Sequence, residues 1–76
     1  MERTRLTPDR IRADVAEVLG VAPGDVADDV PVIDQGMDSI RLMTLVERWR
    51  AEGADIDLMD LAEQPTVARW LTLLAR

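Results

Sequence analysis

The sequence contains no cysteine and no histidine, and all 9 of its basic residues are arginine. Without cysteine there is no disulfide framework, no thiolate metal site and no cysteine nucleophile. Without histidine, the commonest general base and the commonest metal ligand are both missing. Composition therefore argues against a self-contained hydrolase or metalloenzyme. No apolar run approaches the roughly 20 residues that a membrane span needs. Met1 to Leu6 carry charges and lack the apolar centre of a signal peptide. These absences lead to the expectation of a soluble, cytoplasmic protein. Basic charge is also scarce, since 15 acidic residues against 9 arginines leave a net charge of −6. An acidic domain does not suit a phosphate backbone, so no nucleic-acid partner is expected.

What is present fits one small domain. The 76 residues, 47% of them hydrophobic, can form a core. A chain of this size buries only roughly 60% of its unfolded surface, so that core is thin. Residues 1–76 are read as a single domain without repeats or low-complexity segments, and as a monomer.

The hydrophobic spacing predicts an all-α fold. Thr7-Pro8-Asp9 resembles a helix start, with Thr7 as cap and Pro8 at the first helical position. Ile11, Val15, Val18 and Leu19 follow at helical spacing, and Gly20 can end the helix, giving helix one over 8–19. Val21 to Met37 is a long first loop broken by Pro23-Gly24, Pro31 and Gly36. Val26, Val30, Val32 and Ile33 suggest that it packs on the core. Asp38 can cap helix two over 39–52, with Leu42, Leu45, Val46 and Trp49 inward and Thr44, Arg48 and Glu52 opposite. Asp57 can cap a short third helix over 58–63, which Pro65 ends. Thr66 caps a fourth over 66–75, through Val67, Trp70, Leu71 and Leu74.

The stretch Asp34-Gln35-Gly36-Met37-Asp38-Ser39-Ile40 holds the chemistry. A glycine leads into Asp-Ser at the start of helix two, where the Ser39 hydroxyl is exposed at the positive end of the helix dipole. A phosphodiester on that oxygen would be stabilised by the free N–H groups of the first turn. Asp38 has two possible jobs: capping the helix, and presenting a carboxylate to a metal-dependent modifying enzyme. Taken alone, Asp-Ser is also an ordinary helix cap. No histidine or lysine is available to take the Ser39 proton, so another enzyme must activate it.

Gly36-Met37-Asp38-Ser39-Ile40, followed by Leu42, Leu45 and Trp49, resembles the attachment motif of acyl and peptidyl carrier domains. That resemblance implies a four-helix bundle of acyl-carrier type with a long first loop and a short third helix. It also implies that Ser39 accepts 4′-phosphopantetheine from coenzyme A, with Asp38 supporting, and that the arm's thiol carries a thioester. The wider pattern is similar to aryl carrier domains of siderophore-type nonribosomal peptide synthesis. It runs through Asp38-Ser39-Ile40-Arg41-Leu42-Met43 and Arg48-Trp49-Arg50. It continues into Asp55-Ile56-Asp57-Leu58, Leu61-Ala62, Pro65-Thr66 and Trp70. Such domains tether 2,3-dihydroxybenzoate or salicylate and are often fused to an isochorismatase. The partners implied are a phosphopantetheinyl transferase, an aryl-activating adenylation enzyme and a condensation or cyclisation domain. Arg41, Arg48 and Arg50 depart from the acidic second helix of fatty-acid carriers.

Ile40 lies off the core stripe, with Met43 at its edge. Leu58 and Ala62 are four apart on helix three, hence on one face. With Arg41, these residues form a candidate docking surface beside Ser39. Met43 and Leu58 could equally be core, and Ala62 could simply allow close packing. Asp25, Asp28 and Asp29 lack the alternation of a calcium loop and are read as solvated. Arg3, Arg5, Arg10 and Arg12 are read as a solvated face of helix one. Two other functions stay open: the same fold carrying an amino acid or ketide, and an unmodified helical interaction domain.

Overall fold

The computed structural model describes residues 6–74. Arg3, Arg5 and the expected end of helix four at Ala75 lie outside that range. The elements are α1 (Pro8–Leu19), α2 (Ser39–Ala51), α3 (Leu58–Glu63) and α4 (Val67–Leu74), with 3-10 turns at Pro23–Asp25 and Val32–Gln35 in the first loop. No strand occurs among the described residues. No helix there is long and apolar enough to cross a membrane.

Each helix starts where a short polar side chain captures an orphan N–H. The Thr7 hydroxyl accepts from the Arg10 N–H at 3.2 Å and Asp38 accepts from Arg41 at 2.8 Å. Asp57 and Asp60 exchange side-chain bonds with each other's backbone N–H, both at 3.0 Å, closing a reciprocal cap on α3. Thr66 accepts from the Arg69 N–H at 3.3 Å. At the other end of α1, Gly20 adopts φ 75° and returns its N–H to the Ala16 and Glu17 carbonyls.

The core gathers the inward stripes of all four helices with Val26, Val32 and Met37 from the first loop and Ile56 from the α2–α3 connection. At its centre Trp49 and Trp70 meet edge to face, with ring centroids 6.0 Å apart and planes at 76°, a geometry worth about 0.5–1.5 kcal/mol beyond simple burial. Both indole N–H groups are satisfied: Trp70 donates to the Leu61 carbonyl at 3.1 Å and Trp49 to Asp14 at 2.8 Å. Asp14 is buried, and Arg10 and Arg48 also hold it. Arg10 reaches Glu52 as well, and Arg48 reaches Glu17 at 3.1 Å.

This network corrects two expectations. Arg10 and Arg12 do not form a solvated face: both are half-buried and paired, Arg10 with Asp14 and Glu52 and Arg12 with Asp28. Arg48 and Glu52 are opposite the core stripe but half-buried against α1, Arg48 on Asp14 and Glu17 and Glu52 on Arg10. Periodicity identifies the apolar face of a helix, not the polar residues that flank the contact with its neighbour.

The first loop is moored rather than merely apolar. Val26 and Val32 are buried as expected, whereas Val30 and Ile33 are exposed. Arg12 donates to both Asp28 oxygens, at 3.2 and 2.7 Å. The Asp28 carbonyl accepts the Ala68 N–H from the start of α4 at 3.0 Å, and the Val32 N–H reaches the Pro65 carbonyl at 2.8 Å. Asp28 is thus a structural ligand of α1 and not a free loop carboxylate.

The hydrogen bond from Arg12 holds the Asp28 carboxyl below its ordinary range. Its contribution to stability is therefore present above the unfolded pKa of about 3.9 and is lost as pH falls through the lower folded value. Asp28→Asn is expected to lower stability by about 0.5–1 kcal/mol at pH 7, as a partly exposed pair allows. Urea titrations of both proteins across pH should show the gap closing below about pH 4.

Candidate functional site

The site forms where the first loop hands over to α2. The second 3-10 turn ends at Gly36 with φ 106°, a conformation that side-chain-bearing residues rarely adopt. Its Cβ position is otherwise open, so the backbone angle and not crowding calls for glycine. The next residue, Met37, is buried and returns its N–H to the Val32 carbonyl at 3.0 Å. Asp38 is extended (φ −124°, ψ 176°) and caps α2. Ser39 follows as the first helical residue and is exposed. A buried Met on one side and the Leu42 stripe on the other thus leave the Asp38-Ser39 edge facing solvent.

The first turn of α2 has three N–H groups without an intrahelical acceptor, of which two stay open to an anion on Ser39. Asp38 takes that of Arg41, while those of Ser39 and Ile40 have no intrahelical acceptor. An anionic group on the Ser39 oxygen would meet two backbone donors, the positive end of the helix dipole and the exposed Arg41 nearby in sequence. The residues present therefore fit an ester-linked phosphate. The hollow lined by Asp60, Glu63, Gln64, Arg69 and Leu73 does not include Ser39.

The residues expected on a docking surface are all exposed. Ile40 is 78% exposed and Met43 47%, while Leu58, at 37%, is only partly covered. Arg41 and Ala62 are exposed too. Ile40 and Met43 share one face of α2, and α3, bearing Leu58 and Ala62, packs against α2.

The chain matches the family described as phosphopantetheine attachment site over residues 9–74. It belongs to that family. Members carry covalently attached 4′-phosphopantetheine. The chain is 47% identical over 68 residues to an isochorismatase of Bacillus subtilis, covering 90% of this chain and 22% of that protein. It is 40% identical over 74 residues to a phenyloxazoline synthase of Mycobacterium sp., covering 97% of this chain and 6% of the synthase. The chain thus spans a small fraction of both. An acyl carrier protein of Streptomyces coeruleorubidus is 43% identical over 70 residues, covering 92% of this chain and 82% of that one. The four-helix bundle with its long first loop and short α3 is the architecture expected of an acyl-carrier-type domain.

Sequence reasoning assigned no surface or positioning role to three residues of the first loop and α3. Ile33 and Met59 are large, apolar and 54% and 66% exposed. Met59 adjoins Leu58 at the start of α3, and its neighbourhood was the available clue. Ile33, expected to pack on the core, is turned outward by its 3-10 turn. The third is Gln35, whose role lies in contacts to residues eight and five positions earlier.

Proposed function

We propose that Ser39 carries the phosphopantetheine arm and that residues 1–76 act as one non-catalytic aryl carrier domain. In this reading the domain holds an aryl acid of the 2,3-dihydroxybenzoate or salicylate type. It delivers the acid to a condensation or cyclisation domain in siderophore-type nonribosomal peptide synthesis. The observation that carries the attachment site is the exposed Ser39 at the first position of α2, inside the matched family region and capped by Asp38. The similarity to a phenyloxazoline synthase supports an aryl cargo, since such a product contains an aryl ring by name. The similarity to an isochorismatase fits the same assignment.

The arm supplies a thiol that forms a thioester with the cargo. The chain's own residues orient and present it. Asp38 and the first turn of α2 hold the attachment oxygen outward. Ile40, Arg41, Met43, Leu58 and Ala62 offer a surface to a phosphopantetheinyl transferase, an aryl-activating adenylation enzyme and a condensation or cyclisation domain. Tethering raises the effective concentration of cargo at each partner site.

The test is intact mass after incubation with coenzyme A, magnesium and a promiscuous transferase, expected to show one phosphopantetheine per chain. Loading of that product by aryl-activating and amino-acid-activating adenylation enzymes then reads the cargo. A second reading, an acyl cargo other than an aryl acid, rests on the near full-length similarity to an acyl carrier protein. Loading of amino acids or transfer of aliphatic acyl groups but not aryl acids would select it. Ile40→Asp is expected to cut aryl loading about tenfold or more without unfolding the domain, because it puts a charge into an apolar contact. Loading rates against thermal melts check this.

A further inference from the structure

We propose that Gln35 is a positioning residue for the modification of Ser39, acting through the first loop; this rests on the reading of Ser39 as the attachment point. Gln35 ends the turn that precedes Gly36 and stands four residues before Ser39. Its side-chain oxygen accepts the Ala27 N–H at 2.9 Å. Its amide nitrogen donates to the Ala27 carbonyl at 2.9 Å and to the Val30 carbonyl at 2.8 Å. Both donors and the acceptor of one carboxamide are therefore spent on backbone groups of the earlier half of the loop.

That earlier half is itself fixed. Asp28 lies inside the Ala27–Val30 segment and is tied to Arg12 on α1 through its side chain and to Ala68 on α4 through its carbonyl. A continuous restraint runs from α1 and α4, through Asp28, across the Gln35 amide, to the turn that delivers Ser39. Only Gly36, Met37 and Asp38 separate the end of that restraint from the hydroxyl. Gly36 has no neighbour within 4 Å of its Cβ position, so packing at that residue does not hold the turn. Val32 and Met37 anchor the two ends of the turn in the core, but Ile33, Asp34 and Gly36 between them are exposed, so the outer edge of the turn depends on its hydrogen bonds. The three bonds of Gln35 lie at the surface, where water can replace them. Their loss therefore loosens the loop without opening the core.

Misplacing a reacting group by about 1 Å can cost up to about 100-fold in rate. The hydrogen bonds of Gln35 go to the first loop and not to the docking side chains on α2 and α3, so the defect should fall on turnover and not on association. Gln35→Ala is expected to lower kcat of phosphopantetheine transfer about tenfold, equivalent to about 1.4 kcal/mol, with KM for the carrier within about twofold. Gln35→Glu keeps an acceptor for the Ala27 N–H but turns a carboxylate toward two carbonyls. It should fall at least as far.

The experiment measures kcat and KM for a transferase on the parent, Gln35→Ala, Gln35→Glu and Leu71→Ala, with urea stability and amide exchange at Ala27 for each. Leu71, half-buried on α4, reports on global destabilisation alone. A kcat defect with faster Ala27 exchange in both Gln35 variants, and parent-like kcat in Leu71→Ala, supports the proposal. Parent-like kcat in Gln35→Ala overturns it. So do an equal defect in Leu71→Ala and loss of fold in both Gln35 variants, since Gln35 would then be merely structural. An unmodified parent is recognisable separately: it would overturn the Ser39 reading and this proposal with it.

Discussion

Ser39→Ala is expected to abolish the phosphopantetheine adduct completely while leaving the domain folded. In the proposed reading the hydroxyl oxygen forms the phosphoester, and alanine offers no atom to replace it. The fold has no reason to respond. Ser39 is exposed at the first position of α2, alanine is the best helix former, and the Asp38 cap reaches the Arg41 N–H without involving Ser39. The stability change should stay within about 0.5 kcal/mol, as for surface substitutions away from special features. Intact mass and a urea melt of the same samples check both halves. An adduct on the variant would move the attachment site elsewhere and sink the assignment. Asp38 separates its two jobs in the same assay. Asp38→Asn keeps an oxygen for the cap and removes the charge, while Asp38→Ala also loses the cap at about 1 kcal/mol. Slow modification of a stable Asp38→Asn would mean that the transferase uses the carboxylate. A parent-like rate would leave only the cap.

The helices were legible because their signals are local. Thr7, Asp38, Asp57 and Thr66 each cap the helix assigned to them, and α1 and α3 begin and end where spacing and Gly20 or Pro65 place them. Helix two ends one residue early, because Glu52 leaves helical geometry ahead of Gly53. The Asp38-Ser39 edge was legible for the same reason, being a short motif between a loop and a helix. What stayed hidden depends on partners distant in sequence. The Arg12–Asp28 pair and the Val32–Pro65 bond join segments whose proximity only the tertiary fold creates, and the Gln35 amide bonds exist only once the first loop has folded back on itself. Ile33 and Val32 are adjacent and equally apolar. A 3-10 turn nonetheless sends one into the core and the other to solvent. Arg48 illustrates the same limit on a helix, since its face was legible but the α1 carboxylates it meets were not.

Asp14→Ala is expected to be the most destabilising single substitution away from the apolar core, at about 3 kcal/mol. Asp14 is 6% exposed and accepts from the Trp49 indole, Arg10 and Arg48. Removing it strands the indole N–H of a fully buried tryptophan, which alone costs about 1–3 kcal/mol. The two arginines soften the loss: their side chains are 34% and 31% exposed, so water can take over part of each. A domain of this length has a total stability of only about 4–11 kcal/mol, so the melting temperature should fall by about 10–20 °C. Asp14→Asn keeps an acceptor for Trp49 and should lose about half as much. A double-mutant cycle with Trp49→Phe identifies the cause. If the stranded indole matters, Asp14→Ala should cost at least about 1 kcal/mol less in the Phe background. Equal costs in both backgrounds would assign the effect to the arginines. Trp49 and Arg48 lie nearly three turns along α2 from Ser39, about 14 Å by helix geometry. At a temperature where Asp14→Ala is still folded, Ser39 should therefore be modified at the parent rate. A slow, folded Asp14→Ala would mean that the α1–α2 contact also sets the pose of Ser39.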